Sequence, residues 1–313
     1  MPPMRRSVQP TAAGLRAMQS LTSRVFPDAG WHHAGDLAWA ATCQNAADMS
    51  PAAIWTAAED AGSPVVAWGW LETPDELLLQ VDPAYPDLAD EVLAWAEQSA
   101  EGDLSVTISG DEPHLASALV ARGYVPAADG PFFSCLSHDL ADVPPAPLLP
   151  DGYVIRSQID TADVARRAAV HRAVWDSTLI TTDRHAAMRE VWPYRAEFDL
   201  MAVHAATGEA VAYCQGWLDE VSGVGLFEPV GTRSDHRRFG LSRALGIAVL
   251  RAFAAAGARQ ATVFPRGDAD YPIPKLVYES MGFVVYSRTY KYTRFGGYDR
   301  SVQLDLRTRQ PAV

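Results

Sequence analysis

The stretch HRRFGLSRALG, residues 236–246, joins positive charge to a glycine and to the start of an apolar pattern. Arg237, Arg238 and Arg243 supply the charge, and Gly240 lets the backbone approach a ligand with no Cβ in the way. A helix that begins after this glycine has first N–H groups without intrahelical partners, and its dipole favours an anion. The pattern therefore predicts a phosphate or pyrophosphate site.

Two other phosphate motifs do not account for this stretch. The sequence contains no GxxxxGK followed by Ser or Thr, and GVGLFE has Glu228 where a dinucleotide fingerprint needs its third glycine. Two alternatives stay open for the basic stretch. It is either an exposed helix start that binds nothing, or a DNA recognition helix, which the acidic chain disfavours.

The elements around the basic stretch predict a layered α/β or α+β fold. The strand VGLFEPVGT precedes it, and a helix with apolar spacing follows from Leu241 and ends near Gly257. Downstream, QATVFP and FVVYSRTYKYT are predicted strands, and PKLVYESMG between them is a predicted short helix. Upstream, the predicted strands are GYVIRS, DLMAVHAA and AVAYCQGWLDE, and the predicted helices are ADVARRAAVHRAVW and DRHAAMREVW.

Charge divides the chain into two halves. Residues 1–150 contain 5 Lys and Arg against 20 Asp and Glu, a net charge of -15, and the rest contains 21 against 18, a net charge of +3. The acidic half should repel polyanions, so we expect no nucleic-acid partner. The prolines of PPAPLLP cannot continue a helix or a central strand. We therefore predict domains at 1–141 and 151–313, joined by a Pro-rich linker at 142–150.

The chain is predicted to be a cytoplasmic monomer or homodimer with no membrane partner. Its three cysteines are far apart, which favours reduced thiols over a zinc site or a disulfide framework. No signal-peptide pattern is present, and no run approaches the roughly 18 apolar residues of a membrane span. His32 and His33 are adjacent but have no other ligand types nearby, so no metal is expected.

The second half resembles the GNAT acyltransferase superfamily. The sequence R-x-x-G-x-S, from Arg237 to Ser242, is similar to the family's [Q/R]-x-x-G-x-[G/A] loop, with Ser242 in place of the last small residue. Further on, LVYESMGF is similar to the family's LYExxGF. The Asn and Ala that are common upstream of that motif are replaced here by Tyr271 and Pro274.

The resemblance implies two tandem GNAT-like domains, each a mixed, mostly antiparallel sheet flanked by helices, similar in architecture to mycothiol synthase. It implies an acyl-CoA-dependent N-acyltransferase that moves an acetyl group from acetyl-CoA, its co-substrate, to a primary amine of a small molecule in a ternary complex. The alternative is a non-catalytic acyl-CoA or small-molecule binding protein with the same fold. The implied CoA contacts are Val230, Thr232, Arg237, Arg238, Phe239, Gly240, Leu241, Ser242 and Arg243.

The implied reaction needs a base, an oxyanion contact and an acid. The resemblance implies that Tyr278 is the general acid near the CoA sulfur and that the main chain at Val230 contacts the acyl group. Glu228 is the predicted base, acting directly or through water, and the strand period places it on one face with Val230 and Thr232. The alternatives are that Tyr278 only packs and that Glu228 pairs with an arginine. Pro229 cannot donate to a ladder and predicts a bulge.

Trp175 and Asp176 are implied substrate contacts, because the family shapes its acceptor site after the first helix of the domain. His236 and Cys214 are interpreted as a polar loop residue and a small buried strand residue. The acidity of the first half predicts one of two things: attraction of a cationic amine to the acceptor cleft, or solubility alone.

The first half resembles a degenerate copy of the same domain. Alignment of the two halves on a strand end places Pro86, Ala89 and Glu91 at the positions of the arginine, glycine and serine of the second-half loop. Alignment on a later glycine places Leu119 at the tyrosine position. Nearby carboxylates should repel a pyrophosphate, so the first half is predicted to have no CoA site.

Overall fold

The structure is a computed structural model that describes residues 4–8, 12–44, 50–60, 62–127, 130–146, 148–158 and 160–296. The predicted linker is described except for residue 147. The end of the predicted second domain, 297–313, lies outside the described residues.

The first half is built from seven strands and four helices among its described residues. The strands are β1 (Met4–Val8), β2 (Ala52–Thr56), β3 (Val65–Thr73), β4 (Glu76–Val81), β5 (Leu104–Ser109), β6 (Val125–Pro126) and β7 (Ser134–Asp139). The helices are α1 (Ala12–Val25), α2 (Ala34–Cys43), α3 (Leu88–Ser99) and α4 (Pro113–Ala121).

The second half repeats this order over its described residues. Its strands are β8 (Tyr153–Ser157), β9 (Asp199–His204), β10 (Ala210–Asp219), β11 (Val224–Thr232), β12 (Gln260–Val263) and β13 (Val284–Arg294). Its helices are α5 (Thr161–Trp175), α6 (Thr182–Met188), α7 (Leu241–Ala255) and α8 (Ile273–Glu279), with short 3-10 helices at Ala196–Phe198 and Ser234–His236.

The predicted elements of the second half are confirmed, with small differences in length. The predicted strand VGLFEPVGT coincides with β11, and α7 begins at Leu241 as predicted. Helix α6 ends at Met188, earlier than the pattern DRHAAMREVW predicted, because the chain turns there. Two of the four α-helices of this half begin at a side-chain cap: Asp160 caps α5 and Thr181 caps α6. Helix α7 has Gly240 at its N-cap position and no such side-chain cap.

The strands form one continuous mixed sheet. Most neighbouring strands are antiparallel, as predicted for each half. The strand order is β1-β2-β3-β4-β5-β13-β7-β12-β11-β10-β9-β8, and β6 pairs with β13. The parallel neighbours are β4 with β5 and β11 with β12. In each half, therefore, four antiparallel strands lead into one parallel crossover through a helix, which places a loop and a helix N-terminus at the same edge of the sheet.

Strands of the two halves exchange places. Strand β7 precedes the predicted linker but pairs with β12 and β13 of the second half. The end of β13 pairs in turn with β5 and β6 of the first half. The linker at 142–150 stays a prediction as a domain boundary, and strand pairing crosses it.

Helix α7 packs on the second-half sheet through a large aromatic side chain. Phe253 is fully buried and lies against Gly216 of β10 and Gly225 of β11. A Cβ at Gly216 would approach the Phe253 ring to 2.6 Å, so only glycine lets the helix come this close. Burial of one such side chain contributes about 2 to 3 kcal/mol. This contact fixes the C-terminal part of α7 on the start of β11.

No helix among the described residues is long and apolar enough to cross a bilayer.

Candidate active site

The loop between β11 and α7 presents free backbone donors. Arg238 and Gly240 both have left-handed backbone conformations, with φ of 69° and 76°. None of the described residues accepts a hydrogen bond from the backbone N–H groups of 240–243. A loop of this kind at a helix N-terminus forms a concave anion site. This geometry suits the predicted phosphate cradle, which stays a prediction.

Some side chains of this loop make hydrogen bonds within the protein. Arg237 Nε donates to the carbonyl of Thr232 at 3.3 Å, and Arg243 Nε donates to the carbonyl of Ser280 at 3.4 Å. The hydroxyls of Thr232 and Ser242 are 2.7 Å apart. Leu241 is buried in the core, so it can reach a ligand only through its backbone. Arg238 and Phe239 are exposed.

The corresponding loop of the first half uses two of the first donors of α3 within its own turn. The N–H of Leu88 donates to the carbonyl of Tyr85 at 3.0 Å, and the N–H of Ala89 donates to the carbonyl of Pro86 at 3.1 Å. The N-cap Asp87 is right-handed, with φ of -64°, and it adds a carboxylate where an anion would have to bind.

The sheet opens beside the cradle. Strand β11 pairs with β12 only from Val224 to Leu226 and then leaves it. Against β10, Phe227 lies opposite Gly216 and Val230 opposite Cys214, so three steps on β11 match two steps on β10. The bulge predicted from Pro229 is therefore present. It creates an opening next to the main chain of Val230.

The same bulge changes the direction of the predicted base. The strand period placed Glu228, Val230 and Thr232 on one face, and this prediction is wrong. Cross-strand partners share a face, so Val230 points to the α7 side together with Phe227, and the extra residue reverses the alternation for Glu228. The Glu228 carboxyl instead belongs to the side of the sheet that α2 covers.

Glu228 is a carboxyl without an ion-pair partner among the described residues. Burial, together with the charge of Asp36 on α2, raises the pKa of Glu228 to about 8. Its backbone is fixed, because Trp217 Nε1 donates to the Glu228 carbonyl at 2.6 Å. No arginine pairs with the Glu228 carboxyl in the described part of the chain, so the alternative of a structural ion pair is not supported. A carboxyl with this pKa can exchange a proton near neutral pH.

Tyr278 lies in the apolar core under α7. It is 8% exposed and packs with its ring near Phe227 and Phe283. Burial raises the pKa of Tyr278 well above its usual value, and the charges of Cys214 and Glu228 add to the effect. The phenol is thus protonated at neutral pH. No hydrogen bond to the Tyr278 hydroxyl is found among the described residues.

The turn after Tyr278 supports the alignment of the two halves. The N–H of Phe283 donates to the Tyr278 carbonyl at 3.2 Å, and the N–H of Tyr124 donates to the Leu119 carbonyl at 3.0 Å. The glycine before each aromatic residue has positive φ, 99° in the second half and 86° in the first. Leu119 therefore occupies the tyrosine position, and it has no hydroxyl.

Trp175 reaches the site through a residue that sequence reasoning missed. Trp175 Nε1 donates to the Tyr213 hydroxyl at 2.6 Å, and that hydroxyl is 2.9 Å from His171 Nδ1. The charge of Glu228 raises the pKa of Tyr213, which places Tyr213 near the carboxyl. Asp176 is the exposed, left-handed end of α5. In the described part of the chain, no hydrogen bond or ion pair joins it to the other predicted site residues.

The buried ion pair of Arg167 and Asp199 packs against the ring of Tyr213. The Arg167 guanidinium lies 3.6 Å from the Tyr213 ring centroid, and Arg167 Nε donates to Asp199 at 2.8 Å. Burial and the charge of Arg167 lower the pKa of His171 to about 3, so His171 is neutral. Tyr213 and His171 lie in predicted elements, but only packing brings them to Glu228. No signal in the sequence marks them.

The first half contributes α2 to the same site. His33 caps α2 by accepting from the N–H of Gly35 at 3.0 Å, and its Nε2–H donates to the Val224 carbonyl of β11 at 3.0 Å. His32 Nδ1 lies 3.0 Å from Asp36. The two histidines therefore fix the helix that carries Asp36, and no group of metal-ligating side chains occurs among the described residues.

His236 and Cys214 make contacts within the fold. His236 Nδ1 is 2.9 Å from the Tyr153 hydroxyl, which anchors the loop to β8. Cys214 is buried, and burial raises the pKa of its thiol well above the usual value. All three cysteines are free thiols. Neither residue is placed to react.

Comparison with known proteins places this geometry in a known fold. No family model matches the sequence, and no curated protein is similar to it in sequence. A tandem GNAT protein from the clavulanic acid biosynthesis pathway superposes with a TM-score of 0.66 at 18% identity, over 95% of this chain and 100% of the other. A GCN5-related N-acetyltransferase from Sphaerobacter thermophilus gives 0.61 at 19% identity, over 95% and 98%.

A GNAT-family acetyltransferase from Colwellia psychrerythraea gives a TM-score of 0.62 at 11% identity, over 93% of this chain and 99% of the other. At these identities the likeness concerns the fold. The chain has the tandem GNAT fold over nearly its whole length.

Proposed function

We propose that this chain, which has the tandem GNAT fold, is an acyl-CoA-dependent acetyltransferase that acetylates a primary amine of a small molecule by direct attack in a ternary complex. The observation that carries the proposal is the set of free N–H groups at 240–243 beside the opening of β11. These donors suit a pyrophosphate, and the opening suits the acyl arm that would follow it.

The cradle residues bind and orient in this proposal. Arg237, Arg238 and Arg243 add positive charge around the donors, and the Thr232 and Ser242 hydroxyls hold the end of β11 against the start of α7. When bound, acetyl-CoA supplies an acyl thioester that an amine can attack. The main chain at Val230 is the proposed contact for its carbonyl oxygen.

Two groups move protons in this proposal. Glu228, with its pKa raised to about 8, takes a proton from the attacking amine directly or through water. Tyr278 keeps its proton at neutral pH and gives it to the leaving sulfur. Trp175 contacts the acceptor and is held by the Tyr213 hydroxyl. Asp176 is proposed as a second contact at the rim.

The two halves differ in role. We propose that residues 1–141 are a degenerate domain without a CoA site, that 151–313 are catalytic, and that the protein works in the cytoplasm. Among the described residues the donors at 240–243 are free, whereas the first half uses the N–H groups of Leu88 and Ala89 within its turn and places the Asp87 carboxylate beside them. One CoA per chain is therefore expected.

Calorimetry with CoA and thiol-release assays with acetyl-CoA and a panel of amines test the proposal. We expect one CoA per chain and a mass gain of one acetyl group on an accepted amine. Two equal CoA sites would contradict the division of roles. CoA binding without thiol release for any amine would favour the non-catalytic binding protein, and absence of CoA binding would overturn the assignment.

A further inference from the structure

A cavity of about 630 Å³ lies in the first half at the C-terminal end of α2, the helix that packs on β11. One wall is the end of α2, with Cys43 and Gln44, and another is the end of β3, with Glu72 and Thr73. This volume is in the range of small-molecule pockets. The remaining lining residues are Ser50, Pro51, Leu71, Pro74, Ser99 and Glu101.

Helix α2 connects the cavity to the predicted base. Asp36 and Cys43 are seven residues apart, so they lie on one face of α2, about 10 Å apart along its axis. Burial, together with the charges of Glu72 and Glu228, raises the pKa of the Cys43 thiol to about 12. Cys43 is therefore within charge range of both carboxyls, one in the cavity and one at the site.

Among the described residues, two of the carboxyls near this face lack basic partners, whereas Asp36 pairs with His32. Burial, together with the charges of Asp36 and Glu76, raises the pKa of Glu72 to about 7. No ion pair of Glu72 or Glu228 with a basic side chain is found in the described residues. The positively charged or titratable neighbours are Arg184, whose guanidinium donates to the Cys43 carbonyl at 3.4 Å, and His32, which pairs with Asp36.

We propose that the acceptor carries at least two amino groups: one reacts beside Glu228, and the second binds in this cavity as an ammonium against Glu72. The inference rests on the proposed acetyl transfer and names its substrate class. An ammonium there relieves the repulsion between Glu72 and Asp36. It also holds the reacting amine in place, since the two amines of one molecule are a fixed chain length apart.

This arrangement assigns a task to the first half. Glu72 and Asp36 belong to the first half, whereas the cradle and Glu228 belong to the second. The second half then binds the acyl donor, and the first half selects the acceptor by charge. Glu72 is a specificity-determining residue in this proposal, and it takes no part in proton transfer.

The test compares pentane-1,5-diamine with pentylamine, which differ by one amino group. Binding to the full chain is measured by calorimetry at low salt and about pH 8, where Glu72 is ionised, with and without CoA. The variants are Glu72→Gln and, as a control with the same charge change in the first half, Glu59→Gln. Glu59 is exposed and does not line the cavity.

We expect wild type to bind the diamine about tenfold more tightly than the monoamine, the effect of one partly buried ion pair. Glu72→Gln should remove this preference, and Glu59→Gln should keep it. Equal affinity for the two amines, absence of binding of either, or loss of the preference in both variants would overturn the inference. The CoA titration is read separately: a diamine preference without CoA binding would leave the cavity assignment intact and contradict the acetyltransferase.

Discussion

At the scale of single residues, the two proposed proton carriers lie in different surroundings. Tyr278 is enclosed by aromatic rings on the α7 side of the sheet, whereas Glu228 lies on the side that α2 covers. Burial disfavours the charged form of both groups, so both keep protons at higher pH than usual. A carboxyl with a pKa of about 8 can release its proton in the working range, and the phenol cannot.

Tyr278→Phe removes only the hydroxyl. We expect kcat to fall roughly 10²-fold, the size of a lost general acid, with little change in the KM for acetyl-CoA. Steady-state kinetics under conditions where chemistry limits the rate measure this. The matched control is Tyr271→Phe, an exposed tyrosine near the start of α8. An unchanged kcat in Tyr278→Phe would show that the ring only packs.

Glu228→Gln should change the pH dependence of the reaction. If the carboxylate is the base, kcat/KM rises with pH through a pKa of about 8 in wild type, because the group must first lose its proton. The variant should lose this inflection and keep the slope due to the amine. A pH–rate profile measures it, and an inflection near pH 8 that survives in the variant would assign the base elsewhere.

The same substitution has a consequence for stability. The folded-state pKa of Glu228 is raised above 4.5, so the folded state binds more protons than the unfolded state between about pH 4.5 and 8. Stability therefore falls as pH rises through this window. Glu228→Gln should have nearly the wild-type Tm at pH 4.5 and a higher Tm at pH 9. Glu59→Gln is the control, and a constant difference in Tm across this range would contradict the raised pKa.

At the scale of elements, the start of α7 is the part that makes the cradle. Helices α5 and α6 satisfy their first donors with side chains of Asp160 and Thr181, and α7 leaves its own free. A glycine at the N-cap makes a helix less stable than a Ser, Thr, Asn or Asp cap by about a few tenths of a kcal/mol. The cost is consistent with a site that an anion completes.

Gly240→Asp tests the cradle with a control on the same helix. A Cβ at Gly240 meets no atom within 4 Å, so the expected loss arises from left-handed strain and from a carboxylate among the donors. Gly257→Asp, at the other end of α7, has a similar φ of 85° and equally open space. Calorimetry should show CoA binding weakened at least about tenfold in the first variant and little changed in the second. Equal weakening would mean that helix stability, not the cradle, is responsible.

At the scale of the whole molecule, the exchange of β7 and β13 makes the two halves interdependent. The second half without β7 has a gap between β12 and β13, and the first half without β13 leaves β5 with an open edge. Unpaired strand edges aggregate. The exchange also fixes α2 of the first half over β11 of the second, which is where Asp36 meets Glu228.

Cutting the chain within 142–150 tests this interdependence. We expect each half alone to be insoluble or unfolded, and the two co-expressed halves to form a 1:1 complex with cooperative unfolding. Size-exclusion chromatography and thermal melts measure this, with the uncut chain as the control. Two separately soluble halves with cooperative melts would show that each supplies its own missing strand.

Local patterns determined much of the second half. The strand before the cradle, the start of α7 at Leu241 and the bulge at Pro229 follow from apolar spacing, from a glycine and from a proline, all of which act within a few residues. The free donors follow from the same local chemistry. For this reason the composition of the cradle could be predicted from the sequence.

Only the tertiary structure decided what faces Glu228. The bulge reversed its face, because one extra residue shifts the two-residue period, and the size of that effect depends on pairing with β10. Asp36 lies 192 positions earlier in the chain, and Tyr213 and His171 meet only through the packing of α5 on the sheet. The exchange of β7 and β13 is equally invisible to local patterns, because a strand fits either sheet by its own alternation. Long-range pairing selects between the two sheets. That selection places α2, and with it Asp36, over β11.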